Sequence, residues 1–257
     1  MTKRHFVLPD VQAKPGHNFD YLERIGKYIV DHQPDVLVNI GDFADMPSLS
    51  SYDIGKKSFE GRRYISDVEA SHTAMVRLLS PLKEFNDRQR KNGKKQYKPE
   101  MHLTLGNHED RITRVVNGDP KLDGTISIDD LDYESYGWTV HNFLDVVVVD
   151  GIAYSHYFVS GAMGRPIGTA QLTLNKKHMS CVAGHQQGRQ VAYGYTADHR
   201  RICSIIAGSC YEHDEDYMGP QGNKHWRGVV MLNEVDNGEF DEMFVSLKYL
   251  ERKYGHN

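Results

Sequence analysis

The residue types that do chemistry in this chain stand at the ends of short apolar runs. "HFVLPDVQ" ends in Asp10 and Gln12, "DVLVNIGDFAD" in Asp42 and Asp45, "MHLTLGNHE" in Asn107, His108 and Glu109, "IAYSH" in His156, and "SCVAGHQQ" in His185 and Gln187. Carboxylates, imidazoles and amide oxygens are the donors that hold divalent metals, and a histidine is the commonest positioned proton donor or acceptor. Taken singly, each has a plain structural reading: Asp after a strand caps or turns, Gly-Asn is turn chemistry, and Gly-His says almost nothing. In open α/β sheets, however, functional groups collect where the loops at the carboxyl ends of strands converge on one crevice. Five polar strand ends in order therefore predict a single site.

The elements that must position these residues follow from the pattern. "HFVLPD" reads as a strand. "FDYLERIGKYIVDHQP" reads as an amphipathic helix, with Phe19, Leu22, Ile25, Ile29 and Val30 apolar and Pro34 at its end. "DVLVNIGD" is a continuous apolar run, as in a strand covered on both faces, so the first unit is βαβ, parallel and right-handed. Residues 46 to about 100 differ in character. There "MPSLSSYDIGKKSFEGRRYISD" is loop-like, and "VEASHTAMVRLLSPLKEFNDRQRKNGKKQYK" is helical, broken or restarted near Pro81 and trailing into a basic loop. The stretch reads as an insertion beside the strand "MHLTLGN". "HEDRITRVV" then opens a helix with Glu109 and Asp110 in its first turn, where carboxylates suit the dipole. "GWTV", "DVVVVDG" and "IAYSH" continue as strands, followed by a helix around "GTAQLTLNKKH". From residue 180, "SCVAGH", "GRQVAYGYT", "RRICSIIAGSC", "WRGVVMLNEVDNGEF" and "EMFVSLKYL" read as strands, with Asp236-Asn237-Gly238 a hairpin signal. The expected fold is α/β, with two packed mixed β-sheets flanked by helices, in one domain over 1–257.

Composition narrows the partners. A chain of 257 residues, 26% charged and 39% apolar, is long enough to bury a full core. The formal charge of -4 gives no general attraction to nucleic acid or anionic membrane, so any phosphate binding must be local. No apolar run approaches the ~18 residues of a membrane span and "MTKRHFVLPD" has no leader-like apolar stretch, so no membrane partner and a cytoplasmic location are expected. Cys181, Cys203 and Cys210 show no paired spacing and lie in apolar or strand-like stretches, which fits buried reduced thiols.

The ordered set Asp10-Val-Gln12, Gly41-Asp-Phe-Ala-Asp45, Gly106-Asn-His-Glu109, His156 and Gly184-His-Gln-Gln187 resembles the calcineurin-like metallophosphoesterase superfamily. That superfamily carries Asp-x-His, Gly-Asp-x-x-Asp, Gly-Asn-His-Asp/Glu, a single His and Gly-His-x-His. The resemblance runs from residue 5 to about 190 and implies a four-layer α/β/β/α sandwich holding two divalent metal ions. By matched position it implies that Asp10, Gln12, Asp42 and Gln187 surround the first metal, and that Asp42, Asn107, His156 and His185 surround the second, with Asp42 bridging. It further implies His108 as general acid and Asp45 as the residue that orients it. Paired dications, ~3.5 to 4 Å apart in such sites, polarise phosphoryl oxygens and lower the pKa of a bridging water.

Gln12 and Gln187 depart from the superfamily pattern, which has histidine at both positions. Two amide oxygens in place of two imidazoles make the first site all-oxygen, which favours Mn²⁺ or Mg²⁺ over Zn²⁺, with Fe a further possibility for the pair. Asp-x-Gln also resembles the branch that includes manganese-dependent ADP-ribose and CDP-alcohol pyrophosphatases. Met46 stands where protein serine/threonine phosphatases of the superfamily carry Arg, which argues against a phosphoprotein substrate. The implied activity is hydrolysis of a phosphodiester, nucleotide or phosphomonoester. A DNA or RNA nuclease and a metal-binding scaffold with weakened catalysis are the alternatives.

Other residues carry weaker signals. Arg111, one turn from His108, is placed to hold a phosphate oxygen, although a solvated or paired Arg is the plainer reading. His17 either lines the pocket or caps a helix. "CYEHDEDY" at 210–217, with His213, either reaches the site as a loop or is a surface acidic loop, the plainer reading because its charge would oppose phosphate; "DRQRKNGKKQYK" either meets a nucleic-acid backbone or, more plainly, is a solvated helix end and loop.

Overall fold

In β1 (Lys3–Leu8) and β2 (Val36–Asn39) alternate residues point to opposite faces, and both faces are apolar because both are covered. Phe6, Leu8 and Leu37 pack toward helices, while Val7, Val36 and Val38 pack toward a second sheet. A computed structural model, describing residues 2–215 and 218–255, places these strands in a six-stranded mixed sheet. It also contains β3 (Glu100–Thr104), β4 (Thr139–His141), β10 (Gly228–Asp236) and β11 (Glu239–Ser246), in the order β11-β10-β1-β2-β3-β4. The run β1 to β4 is parallel, β10 is antiparallel to β1, and β11 is antiparallel to β10 in turn.

The second sheet, β5 (Val147–Val149), β6 (Ile152–Tyr154), β7 (Cys181–Ala183), β8 (Gln190–Tyr195) and β9 (Arg201–Ile206), runs in the order β5-β6-β7-β9-β8. Ile152, Tyr154, Val182, Cys203 and Ile205 meet Val7, Val38, Val230 and Leu232 of the first sheet in one buried layer. Helix α1 (Asp20–His32) and helix α2 (Tyr64–Lys91) cover the far face of the first sheet, through Leu22, Ile25, Ile29, Ala74, Met75 and Leu78. α3 (Asp110–Gly118) follows β3, and α4 (Ala170–Lys177) packs Ala170 and Leu174 on Ala192 and Ile206 of the second sheet. The result is the expected sandwich of two mixed sheets flanked by helices. Among the described residues no helix is long and apolar enough to cross a membrane.

Local sequence explains most boundaries. α1 carries Asp20 and Glu23 in its first turn and ends at Gln33, whose left-handed backbone (φ 44°) returns its N–H to the Ile29 carbonyl before Pro34. Asn237 and Gly238, at φ 46° and 88°, form the hairpin between β10 and β11.

Two expectations fail here. Pro81 does not break the helix: α2 is continuous through it. The Arg77 carbonyl that loses a backbone donor accepts from Ser80 Oγ (3.2 Å), and the buried Pro81 ring packs where Gly26 of α1 has no side chain. Likewise "EMFVSLKYL" is only half strand. Ser246 accepts from the Tyr249 N–H, and α5 (Leu247–Tyr254) begins there, burying Leu247 and Leu250.

Candidate metal centre and acid pair

Each site residue follows the carboxyl end of a parallel strand: Asp10 after β1, Asp42 after β2, Asn107 after β3, His156 after β6 and His185 after β7. The loops are tied to one another by backbone. Val11 and Gln12 N–H donate to the Asp42 carbonyl (3.1 and 2.8 Å), and Ala13 N–H donates to that of Phe43 (2.7 Å). Gln12, Asp42 and His185 adopt left-handed φ of 48°, 50° and 65°, a conformation that the surroundings must hold in place. A side chain on Gly106 would collide with the Asp42 carboxylate, and one on Gly184 with that of Asp10. These glycines let the strand ends approach closely enough to share ligands.

Glu109 corrects the sequence reading. It is fully buried, and instead of facing solvent in a first helical turn its carboxylate accepts from the N–H groups of Asp42 (3.0 Å), Ala44 (2.9 Å) and Gly106 (2.9 Å). It therefore pins the Asp42–Asp45 loop to the Gly106–Glu109 loop.

At the centre, Asn107 Oδ1 lies 2.7 Å from His185 Nδ1 and 3.0 Å from His156 Nε2. His156 Nδ1 sits 2.9 Å from the Ile40 carbonyl, so it carries the proton, and its Nε2 faces both Asn107 Oδ1 and Asp42 Oδ2 (3.3 Å). An unprotonated Nε2 there would oppose acceptors. A second proton or a cation must lie between them. Asp42, His156 and His185 each present a ligand atom within 4.8 Å of the others.

On the other side Asp10 Oδ1 accepts from His185 N–H (3.1 Å) and Oδ2 from Gln187 Nε2 (3.2 Å). Gln187 Oε1 and both amide atoms of the buried Gln12 have no partner among the described residues. An orphaned buried amide costs about 1–3 kcal/mol, so these oxygens fit a cation better than they fit the protein alone. Gln186 is not part of this set, since its amide donates to the Ile167 carbonyl.

Charges at the centre are strongly coupled. Burial, then the Asp42 charge, raises Asp10 to about 7, whereas His108 and His156 outweigh burial and hold Asp42 well below the usual range. Burial depresses His156, but the Asp42 charge and hydrogen bond prevail and raise it to about 9. Burial, with the charge on His156, lowers His185 to about 4. The cluster therefore retains positive charge beside Asp42 and sheds it at His185, whose nitrogen stays free for ligation.

The acid pair lies beside it. His108 Nδ1 is 2.6 Å from Asp45 Oδ1, and the His108 backbone N–H donates to Asp42 Oδ1 (2.9 Å). Burial opposes the imidazolium, yet Asp42 and then Asp45 outweigh it and raise the His108 pKa. Asp45 is held at about 2 despite burial, by His108 first and then Lys14 and Arg111. Arg111 is anchored on the Asp45 carbonyl through Nη1 (2.6 Å), with Nη2 3.3 Å from His108 Nε2. It is thus paired and also lines the cleft.

The cleft of about 1110 Å³ includes Gln12, Asp42, Asn107, His108, His185 and Gln187. It also includes Lys14 and Glu215, which sequence reasoning missed, and His17. Lys14 Nζ pairs with Glu215 (2.6 Å) and approaches Asp45 (3.7 Å). The only advance signal for Lys14 was its place in the Asp10 loop. Glu215 overturns the reading of 210–217 as a surface acidic loop: Cys210, Tyr211 and Glu215 are buried, because Lys14 and His213 neutralise the carboxylate. Asp216 and Tyr217 of that stretch lie outside the described residues. His17 does not cap α1; Asn18 accepts from Asp20 N–H instead. The basic tract at the end of α2 does not line the cleft.

No protein-family model matches the chain. Two phage proteins, each described as "Gene 54 protein", are similar to part of it. The one from Mycobacterium phage L5 is 37% identical over 87 residues, 34% of this chain and 32% of that protein. The one from Mycobacterium phage D29 is 36% identical over 87 residues, with the same shares. The match therefore spans about a third of these relatives' length. A solved structure aligns over 96% of this chain and 100% of its own, with a TM-score of 0.41 and 10% identity.

Proposed function

We propose that this chain is a metal-dependent phosphoesterase of the calcineurin-like class, hydrolysing a phosphodiester, nucleotide or phosphomonoester with His108 as general acid. The observation that carries the reading is the convergence of Asp42, Asn107, His156 and His185 on one point, where a second proton or a cation must lie between His156 Nε2 and the oxygens of Asn107 and Asp42. Asp10, Gln12, Asp42 and Gln187 would hold one divalent ion, and Asp42, Asn107, His156 and His185 the other. The unpartnered Gln12 and Gln187 oxygens support this assignment and favour Mn²⁺ or Mg²⁺ over Zn²⁺. When bound, the ions supply Lewis-acid polarisation of the phosphoryl oxygens and an acidified water as nucleophile.

The remaining steps belong to the chain's own residues. Asp45 accepts the Nδ1–H of His108, which fixes the tautomer and leaves Nε2 to carry the proton that the departing alkoxide takes. The raised His108 pKa keeps that proton available near neutrality. A cation on Asp42 would cancel the largest influence raising it and leave the Asp45 pair as the main support. Arg111, on the Asp45 carbonyl beside His108 Nε2, is placed to bind a phosphoryl oxygen and to keep the acid from becoming too weak. The buried free thiols suit a reducing cytoplasm, where we place the reaction.

Initial rates on bis-p-nitrophenyl phosphate, p-nitrophenyl phosphate, cyclic nucleotides and single-stranded DNA, each with Mn²⁺, Mg²⁺, Zn²⁺ or EDTA, test the reading. Mn²⁺-stimulated, EDTA-sensitive turnover of a diester is the expected result. Preferential cleavage of DNA would favour a nuclease, and no turnover with any metal would favour the scaffold.

A further inference from the structure

Beyond the acid pair the cleft runs into a corner built from the Asp10 loop and the segment after β9. Cys210 N–H donates to the Asp10 carbonyl (2.9 Å), which brings 210–215 alongside Lys14 and His17. There flat groups form a pile. The Arg227 guanidinium lies 5.0 Å from the Tyr211 ring, Tyr211 stacks on His213 (4.5 Å between centroids, 19° between planes), and His213 lies 4.5 Å from His17. Glu215 fixes His213 Nε2 at 2.6 Å and also holds Lys14 Nζ. His17 alone in the pile lines the cleft, and it is exposed. Burial, with His213 and Lys14, keeps its imidazole below the ordinary pKa, which favours the neutral ring.

The order of chemistry along this wall is informative. The His108–Asp45 pair comes first, then Lys14, whose Nζ lies 3.7 Å from Asp45, with its partner Glu215, then the ring pile. A nucleotide has the same order: phosphate, hydroxyl-bearing sugar, planar base. A phenyl phosphate would put its ring where the polar pair stands. We propose that His17 is a stacking platform for a nucleobase, so that the ester taken at this site is a nucleoside phosphate, with Lys14 and Glu215 facing its sugar. The placement of the phosphate rests on the phosphoesterase reading above; the platform does not.

Calorimetry with the whole chain and Mn²⁺ tests it, using adenosine 5′-monophosphate and ribose 5-phosphate as probes. The nucleotide is expected to bind about tenfold more tightly, as one stacked base contributes. His17→Ala should bring the two affinities together and His17→Phe, which keeps a flat face, should preserve the difference. Equal affinities in the unaltered protein, or a preference untouched by His17→Ala, would overturn the platform. So would loss of the preference in Tyr52→Ala alone, since Tyr52 is the other exposed ring lining the cleft among the described residues. Comparing thymidine 5′-monophosphate with a four-residue thymidine strand separates two sources of the base. His17-dependent affinities that match point to a mononucleotide, and a tighter His17-dependent strand points to a chain end.

Turnover of the same two adenosine and ribose phosphates and of their methyl esters, which covers monoester and diester alike, separates this proposal from the one it extends. A nucleotide preference with no turnover of any of the four sinks the phosphoesterase and leaves the platform. Turnover of the adenosine and ribose compounds at equal KM sinks the platform and leaves the phosphoesterase.

Discussion

Two buried histidine clusters stand toward the two ends of β1, and they are built on opposite principles. Near its start His5, fully buried, accepts from the Tyr154 hydroxyl at Nδ1 (2.7 Å) and donates from Nε2 to Asp150 (3.0 Å), whose charge Lys3 also meets at 3.0 Å. Donor meets acceptor at every contact, and the group ties β1 to the β5–β6 hairpin. Past the end of β1, at the Asp10–Asp42–Asn107–His156–His185 centre, His156 Nε2 meets the oxygens of Asn107 and Asp42 only through a second proton or a cation, and the Gln12 amide and Gln187 Oε1 have no partner among the described residues. Burying polar groups is costly in both places, but only the first repays that cost from within the protein. The comparison teaches that a buried His–Asp cluster is not in itself a functional sign. The mismatch of donors and acceptors is.

The comparison can be broken by substitution. Asp42→Asn should drop activity to background and release metal, read by elemental analysis, whereas Asp150→Asn should leave turnover within about twofold and lower only the melting temperature. If both variants lose activity alike, the contrast is false. Next in size, His108→Ala should cost about 10²- to 10⁴-fold in kcat with metal content unchanged. Activity that depends on the protonated His108 should fall as pH rises through its raised pKa, and this limb should vanish in the variant.

The orphaned amides give a finer test. After mild dialysis the protein should retain one ion per chain by elemental analysis and recover activity with added Mn²⁺, since the imidazole-bearing site binds more firmly than the oxygen-only one. Gln12→His with Gln187→His should retain two. Smallest is the structural cluster. His5→Ala leaves the Tyr154 hydroxyl and the Asp150 carboxylate without their partner, so unfolding should lose about 1–3 kcal/mol with no change in metal content. Burial lowers the His5 pKa below 6.5, so the unfolded chain takes up the proton more readily. Stability from this group is thus present above pH 6.5 and lost as pH falls below it. Melting curves at pH 7.5 and 5.5 should show that difference narrow in His5→Ala.

Much of the fold was legible because it is written in local periodicity. The continuous apolar run of β2 implied coverage on both faces, and Leu22, Ile25 and Ile29 lie where the helical period puts them. Pro81 misled because its consequence depends on a neighbour, Gly26, and on the Ser80 hydroxyl. Leu247–Tyr254 misled because a helix start there rests on one capping serine. Within the site, the motif residues were found by being strand ends. Glu109, Lys14 and Glu215 were misjudged or passed over because their partners lie far along the chain: Glu109 meets Asp42, and Lys14 meets Glu215.

By itself the sequence determined which residue types stand at the strand ends, in what order, and that two of them are amides where the resembled pattern has imidazoles. Glycine at 106 and 184 is likewise a property of the chain. Only the tertiary structure decided that Asn107 Oδ1 sits between two imidazole nitrogens, that the Gln12 side-chain amide has no partner among the described residues, and that an acidic segment folds inward to build the far end of the cleft. The physical reason is range. Propensity and periodicity act over a few residues, whereas matching donors to acceptors, and leaving some unmatched, is settled between loops brought together by the two packed sheets.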